Sequence, residues 1–120
     1  MKKVLVLALV VLLVIGSVVA ASSQTPEWTV YNTDNSELPH HQVIALAFDA
    51  QANLWTGTEQ GLAKFDGETW TVYNEVNSGL SDNFIWILLI DTQGNKWIGT
   101  CFGGLAVYRE GGVILTGVQK

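Results

Sequence analysis

One phrase, written twice, limits what this chain can fold into. Trp28-Thr29-Val30-Tyr31-Asn32 returns forty-two residues later as Trp70-Thr71-Val72-Tyr73-Asn74. Asn35-Ser36 with Leu38 returns at the same offset as Asn77-Ser78 with Leu80. Asp49, Asn53, Trp55, Gly57 and Thr58 return as Asp91, Asn95, Trp97, Gly99 and Thr100. One inserted residue then moves Gly61-Leu62-Ala63 to Gly104-Leu105-Ala106. A period in the low forties fits four short strands and their turns, the size of a β-propeller blade.

The first copy predicts the strands. "VIALAF", Val43 to Phe48, is a continuous apolar run, the pattern of an inner strand buried on both faces. "AQAN" and "TQGN" mark tight turns, with Gly94 free to take positive φ. "LWTGT" supplies a Trp able to fill the gap between sheets and a Gly that admits close backbone approach. "GLAKF", a "DGET" turn and the outer "WTVY" complete the blade. The second copy predicts strands over 85–90, 96–100 and 105–108, then a fading one over 113–116, where Val113 replaces the outer Trp. No helical periodicity follows residue 22. The expected fold is all-β: a partial propeller of about two four-stranded antiparallel blades plus a lone outer strand at 28–31. Residues 28–73 hold that strand and the first blade, and 74–120 the second.

The opening, "MKKVLVLALVVLLVIGSVVAASSQ", is built differently. Two lysines, an unbroken apolar run from Val4 to Ile15 and a small-residue end at Ala20 and Ala21 form the three-part pattern of a secretory signal peptide over 1–21. A short linker, 22–27, follows. The alternative is an uncleaved anchor over 4–21, at the lower limit for a span; Gly16, Ser17 and the small residues favour cleavage. Either way the repeats are expected in the periplasm or outside the cell. Without Lys2 and Lys3, four cations face eleven carboxylates, a net charge near −7. Phosphate backbones need clustered Lys and Arg, so nucleic acid is not an expected partner. Cys101 has no second cysteine to pair with inside the chain, and its expected role is that of a small buried hydrophobe.

The second copy reads Gly79-Leu80, Asn83, Ile85, Leu88, Asp91, Gly94-Asn95, Trp97, Gly99-Thr100 and Gly104-Leu105. In this the chain resembles the two-component regulator propeller repeat; the first copy departs from the pattern at Glu37, His41 and Ala52. The resemblance implies an extracytoplasmic propeller of the kind found in the sensory part of bacterial hybrid two-component regulators that respond to carbohydrates. A carbohydrate or a sensor kinase is then the implied partner. Such sensors carry many repeats before a membrane span and a kinase; two repeats identify a scaffold rather than a task.

Two blades alone pose a packing problem. A four-stranded blade presents roughly 350 Å² per face. Burying one such face contributes at most about 8 kcal/mol, comparable with the whole stability of a domain, about 5–15 kcal/mol. Two stacked blades leave two faces open, roughly 700 Å² in all, more than a soluble monomer usually tolerates. The expected remedy is further repeats or self-association, with about three or four copies closing a ring of six or eight blades. The strand at 28–31 fits the missing outer place of another chain's last blade.

Trp55, Trp97, Gly57, Gly99, Asp49 and Asp91 recur at fixed repeat positions and read as structural; Trp28 and Trp70 are likewise expected to pack. Asp49 and Asp91 supply too few oxygens for Ca²⁺ and suit side-chain caps of their turns. His40 and His41 point to opposite faces and have no partner cluster, so no metal site is expected. No nucleophile elbow, phosphate loop or paired-carboxylate arrangement is present, and the chain reads as a non-enzyme without a cofactor. A ligand is expected at one end of the ring, in loops that differ between copies: Glu59 and Gln60 in the first, Phe84, Trp86 and Phe102 in the second. The leading reading is a sensor module or subunit. A small oligomeric two-blade lectin and a truncated remnant are the alternatives.

Overall fold

Alternation and turn chemistry produce the strands where the repeat places them. In the computed structural model, which describes residues 25–116, seven strands form two antiparallel sheets, and no helix is present among the described residues. Blade 1 contains β1 (Val43–Phe48), β2 (Leu54–Thr58), β3 (Gly61–Phe65) and β4 (Trp70–Tyr73), in that order across the sheet. Blade 2 contains β5 (Ile85–Ile90), β6 (Lys96–Thr100) and β7 (Leu105–Tyr108). The expected leader at 1–21 lies outside the described residues, as do 22–24 of the expected linker and 117–120.

Two expected strands do not form. Residues 113–116 pair with no strand. Gly111 and Gly112, at φ 84° and 115°, turn the chain back on itself, and the Asn95 side chain then captures Ile114. The Asn95 amide donates to the Ile114 carbonyl at 2.5 Å and its Oδ1 accepts from the Ile114 N–H at 2.9 Å, so a side chain satisfies the groups a fourth strand would have offered β7. Residues 25–30, which belong to a separate unit of the chain, also carry no strand, and Trp28 is 85% exposed rather than packed. An isolated strand without a sheet to join has no ladder to hold it.

The turns repeat as faithfully as the strands. Asn32 Oδ1 accepts from the N–H groups of Asp34 and Asn35, and the Ser36 hydroxyl donates to the Asn32 carbonyl. Asn74, Val76, Asn77 and Ser78 reproduce that network bond for bond. Each copy ends by burying a leucine, Leu38 and Leu80. Ala52 stands where the second copy has Gly94, and both take positive φ, 64° and 85°. A β-carbon in the left-handed region costs about 1 kcal/mol. Ala52→Gly is therefore expected to raise stability by roughly 0.5–1 kcal/mol and Gly94→Ala to lower it by a similar amount, read by thermal unfolding. Equal and same-sign shifts would contradict the strain.

The core lies between the blades. Trp55, Leu62, Leu80, Ile85, Leu88 and Ile98 form one buried cluster. Gly57 makes the close approach possible: a β-carbon there would lie 2.6 Å from Ile85 Cγ2. The inner strands are not buried on both faces as the apolar run suggested. Only the faces turned toward the other blade are covered; Phe48 on β1 is 69% exposed and Leu89 on β5 is 64% exposed. An inner strand is sealed on both sides only where a blade flanks each side.

Candidate functional site

Two regions deserve the name of candidate: the loops at one end of the blades and the seam between them. Ile85, at the start of β5, rests on Gly57, near the end of β2, so the β2–β3 loop and the connections entering β1 and β5 share an end. The Asp49 and Asp91 turns share the opposite end, lining one cleft.

At the loop end of blade 2, the ladder shifts register between Ile85 and Ile87, leaving Trp86 as the bulged residue. A bulge re-aims its side chain. Trp86 is 57% exposed and lies against Phe84 with centroids 5.7 Å apart and planes 11° from parallel. The loop behind this pair is tied down. Cys101 N–H donates to the Phe84 carbonyl at 2.9 Å, and Asp82 accepts from the N–H groups of Phe84 and Phe102 at 3.1 and 2.6 Å. Those two backbone bonds, Phe84 first, hold the Asp82 carboxyl below its ordinary range. Gly103 closes the loop because any side chain there would strike the Ser81 carbonyl, 2.5 Å from its β-carbon position. Phe102 projects outward, exposed. Cys101 is half-buried rather than sealed in a core, since it sits in this surface loop.

Blade 1 answers with polar groups. His40 stands one repeat before Asp82 and does its work: its Nδ1 accepts from Gln42 N–H at 3.1 Å. His41 contacts the Thr33 hydroxyl at 3.1–3.2 Å through its ring nitrogens. Both histidines thus serve loop structure. Glu59 approaches His40 at 4.0 Å, and Gln60 is exposed on the β2–β3 turn. The five residues expected to bind a ligand therefore share one end, with the three aromatics gathered on blade 2 and Glu59 and Gln60 on blade 1.

The seam carries a group that the sequence did not mark. Lys96, with its side chain 5% exposed, donates to Glu110 Oε2 at 2.7 Å and sits 4.6 Å over the Trp55 ring. Lys64 reaches Glu110 Oε1 at 3.2 Å. Burial works to raise the Glu110 carboxyl, but the hydrogen bonds from Lys96 and Lys64 outweigh it and hold the group below its ordinary range. The signal was available in the repeat: Lys64, Lys96 and Glu110 are all positions where the two copies differ in charge. They lie on strands and a turn of two different blades, so their juxtaposition follows only from the stacking.

A cleft of about 450 Å³ opens beside this triad, lined also by Asp49, Asp91 and Arg109. Its charges already have partners. Arg109 donates to the carbonyls of Gln93 and Gly112. Asp49 accepts from the N–H groups of Gln51 and Asn53 with one oxygen and from the Asn53 amide and Trp55 indole with the other, all at 2.9–3.0 Å. Burial pushes its carboxyl up, yet these four bonds prevail and lower it to about 2. Asp91 repeats the arrangement around Trp97, whose indole N–H does most to lower it. A second hollow of about 350 Å³ lies between Tyr73, Ser78, Leu80, Ile98 and Tyr108, and is mostly apolar. Among the described residues no group of three His, Cys, Asp or Glu side chains could hold a metal ion, and no helix is long and apolar enough to cross a membrane.

No family model and no curated protein matches the chain. Solved structures do. One is the extracellular domain of a hybrid two-component system from B. thetaiotaomicron, at TM-score 0.55 and 20% identity over 74% of this chain. At that identity the likeness concerns the fold, and it supports the reading of the two sheets as propeller blades. This chain spans 14% of the neighbour's length.

Proposed function

We propose that this chain is an exported, non-catalytic propeller module of a sensory system that binds a carbohydrate or a protein partner at the loop end of its blades. The observation that carries the reading is Trp86. A large aromatic ring, lifted out by a bulge and backed by Phe84, is held open to solvent by a loop whose backbone is fixed through Asp82. A rigid exposed ring of this kind suits the apolar face of a sugar, and Phe102, Glu59 and Gln60 supply an edge and hydrogen-bonding groups at the same end. The likeness to the extracellular domain of a two-component system and the leader pattern both favour export and a sensory setting.

Titration of the exported chain with a panel of oligosaccharides, followed by Trp fluorescence and calorimetry, tests this. Trp86→Ala is expected to weaken binding by about 10–100-fold with the melting temperature unchanged, and Phe102→Ala by less. Binding that survives Trp86→Ala at full strength would remove the site. Retention of a sensor-domain partner, lost with the same substitution, would favour the protein-partner form.

A further inference from the structure

The interface between the blades is a template for the two faces left open. Inside it, Trp55 lies against Tyr73 and Tyr108, with centroids 5.8 and 6.0 Å away, and the two tyrosine rings are 5.2 Å apart at 48°. One repeat earlier, Tyr73 corresponds to Tyr31 and Tyr108 to Phe65. On the open face of blade 1 those two rings hold nearly the same relation, 5.1 Å apart at 58°. Two members of the trio are thus in place there. The counterpart of Trp55 is Trp97, which faces out from blade 2 beside the exposed Ile87 and Leu89.

The charges agree. At the positions of Lys96, Lys64 and Glu110, the open faces carry Leu54, Val107 and Gly67. Leu54 lies on the open face of blade 1 and Val107 on that of blade 2, by their registers with Phe65 and Trp97. The whole ion triad is neutral at once. A single charge retained on either face would be buried without its partner if the faces met, at a cost of several kcal/mol; removing all three together leaves two apolar surfaces that fit each other.

We propose that a second copy of this chain docks head to tail, its blade 2 open face against the blade 1 open face. Trp97 of one copy then rests on Tyr31 and Phe65 of the other, and Val107 meets Leu54. The same placement sets Tyr31 of one copy beside the open edge of β7 in the other, where 113–116 leave the fourth position unfilled. The fit is not an atom-for-atom copy. Gly57 receives Ile85 from across the interface, whereas the space over Gly99 is taken by Ile87 of its own sheet, so the smaller Val43 must ride over Ile87. One such contact buries roughly 700 Å² in total, short of the 1,200 Å² or more of a stable interface. A copy using both faces doubles that area, which favours a closed ring over an open pair.

Sedimentation velocity on the exported chain, from about 1 to 100 µM, reads the outcome without any ligand and leaves the binding reading untouched. A discrete assembly is expected. Phe48→Glu, at an exposed position that the monomer fold does not need, is expected to raise the dissociation constant about 100-fold, and so is Leu54→Glu. Adding Val107→Lys to Leu54→Glu is expected to restore most of that loss. A monomer throughout the range would overturn the proposal, as would an assembly indifferent to Phe48→Glu. Failure of the Leu54→Glu and Val107→Lys pair to recover would overturn the register.

Discussion

Trp55→Ala is expected to lower stability by about 3–5 kcal/mol, enough to abolish a cooperative transition in a chain of this size. Trp55 is 0% exposed and touches side chains of both blades. It lies against Tyr73 with planes 20° apart, tilts against Tyr108, carries Lys96 over its face and donates its indole N–H to Asp49. Removing the ring leaves a cavity between two sheets that cannot close without shifting a whole blade, and the cost rises with the volume that stays empty. It also strips the nearer of two cation–π partners from a lysine with little access to water. Trp97→Ala supplies the contrast. The same residue at the same repeat position faces outward, so the substitution is expected to cost about 1 kcal/mol in the dissociated chain. Circular dichroism melts in a Phe48→Glu background, which keeps the chain dissociated, compare the two. Equal losses would mean that the seam is not where the stability resides.

That contrast shows what a sequence of this kind makes legible. All seven strands lay where the repeat placed them, because alternation and turn residues are local properties of β-structure. The two strands that failed, 28–31 and 113–116, look like strands in composition. The first has no strand paired with it, and the second is turned aside by Gly111 and Gly112 and held by the Asn95 side chain; no local pattern encodes either. The burial of "VIALAF" depends on what lies beside it: an apolar run states what a segment can bury, and the flanking blade decides whether it does. Of the candidate site, the residues at the loop end could be listed from differences between copies. The bulge that turns Trp86 outward, and the bond from Phe102 to Asp82 that fixes its surroundings, depend on the ladder's register. The Lys64–Glu110–Lys96 triad joins residues from both blades. Only after the blades are stacked do its members meet.

Lowering the pH is expected to weaken the protein in a window set by Asp49. In the unfolded chain its carboxyl titrates near 3.8; in the fold it titrates near 2. The folded value is the depressed one, so the stabilisation is fully present above about pH 4 and is lost as pH falls from about 4 through 2. The full shift corresponds to a little over 2 kcal/mol, and solvent access to the turn reduces this to at most about 2 kcal/mol. Asp91, lowered in the same direction, adds a smaller loss of the same sign. Asp49→Asn tests the cause. The amide can still accept from the two backbone N–H groups with its oxygen, but its nitrogen then confronts the Asn53 amide and the Trp55 indole, two donors with no acceptor. Leaving a buried indole N–H unpaired costs about 1–3 kcal/mol. At pH 7 the variant is therefore expected to be less stable by roughly 2–3 kcal/mol, and the gap to the parent should narrow between about pH 4 and 2, as protonation brings the parent carboxyl to the same predicament. Denaturant melts at pH 7, 4 and 2 measure both arms. A gap that stays constant across that range would show that the carboxylate charge is not what holds Trp55 to its turn.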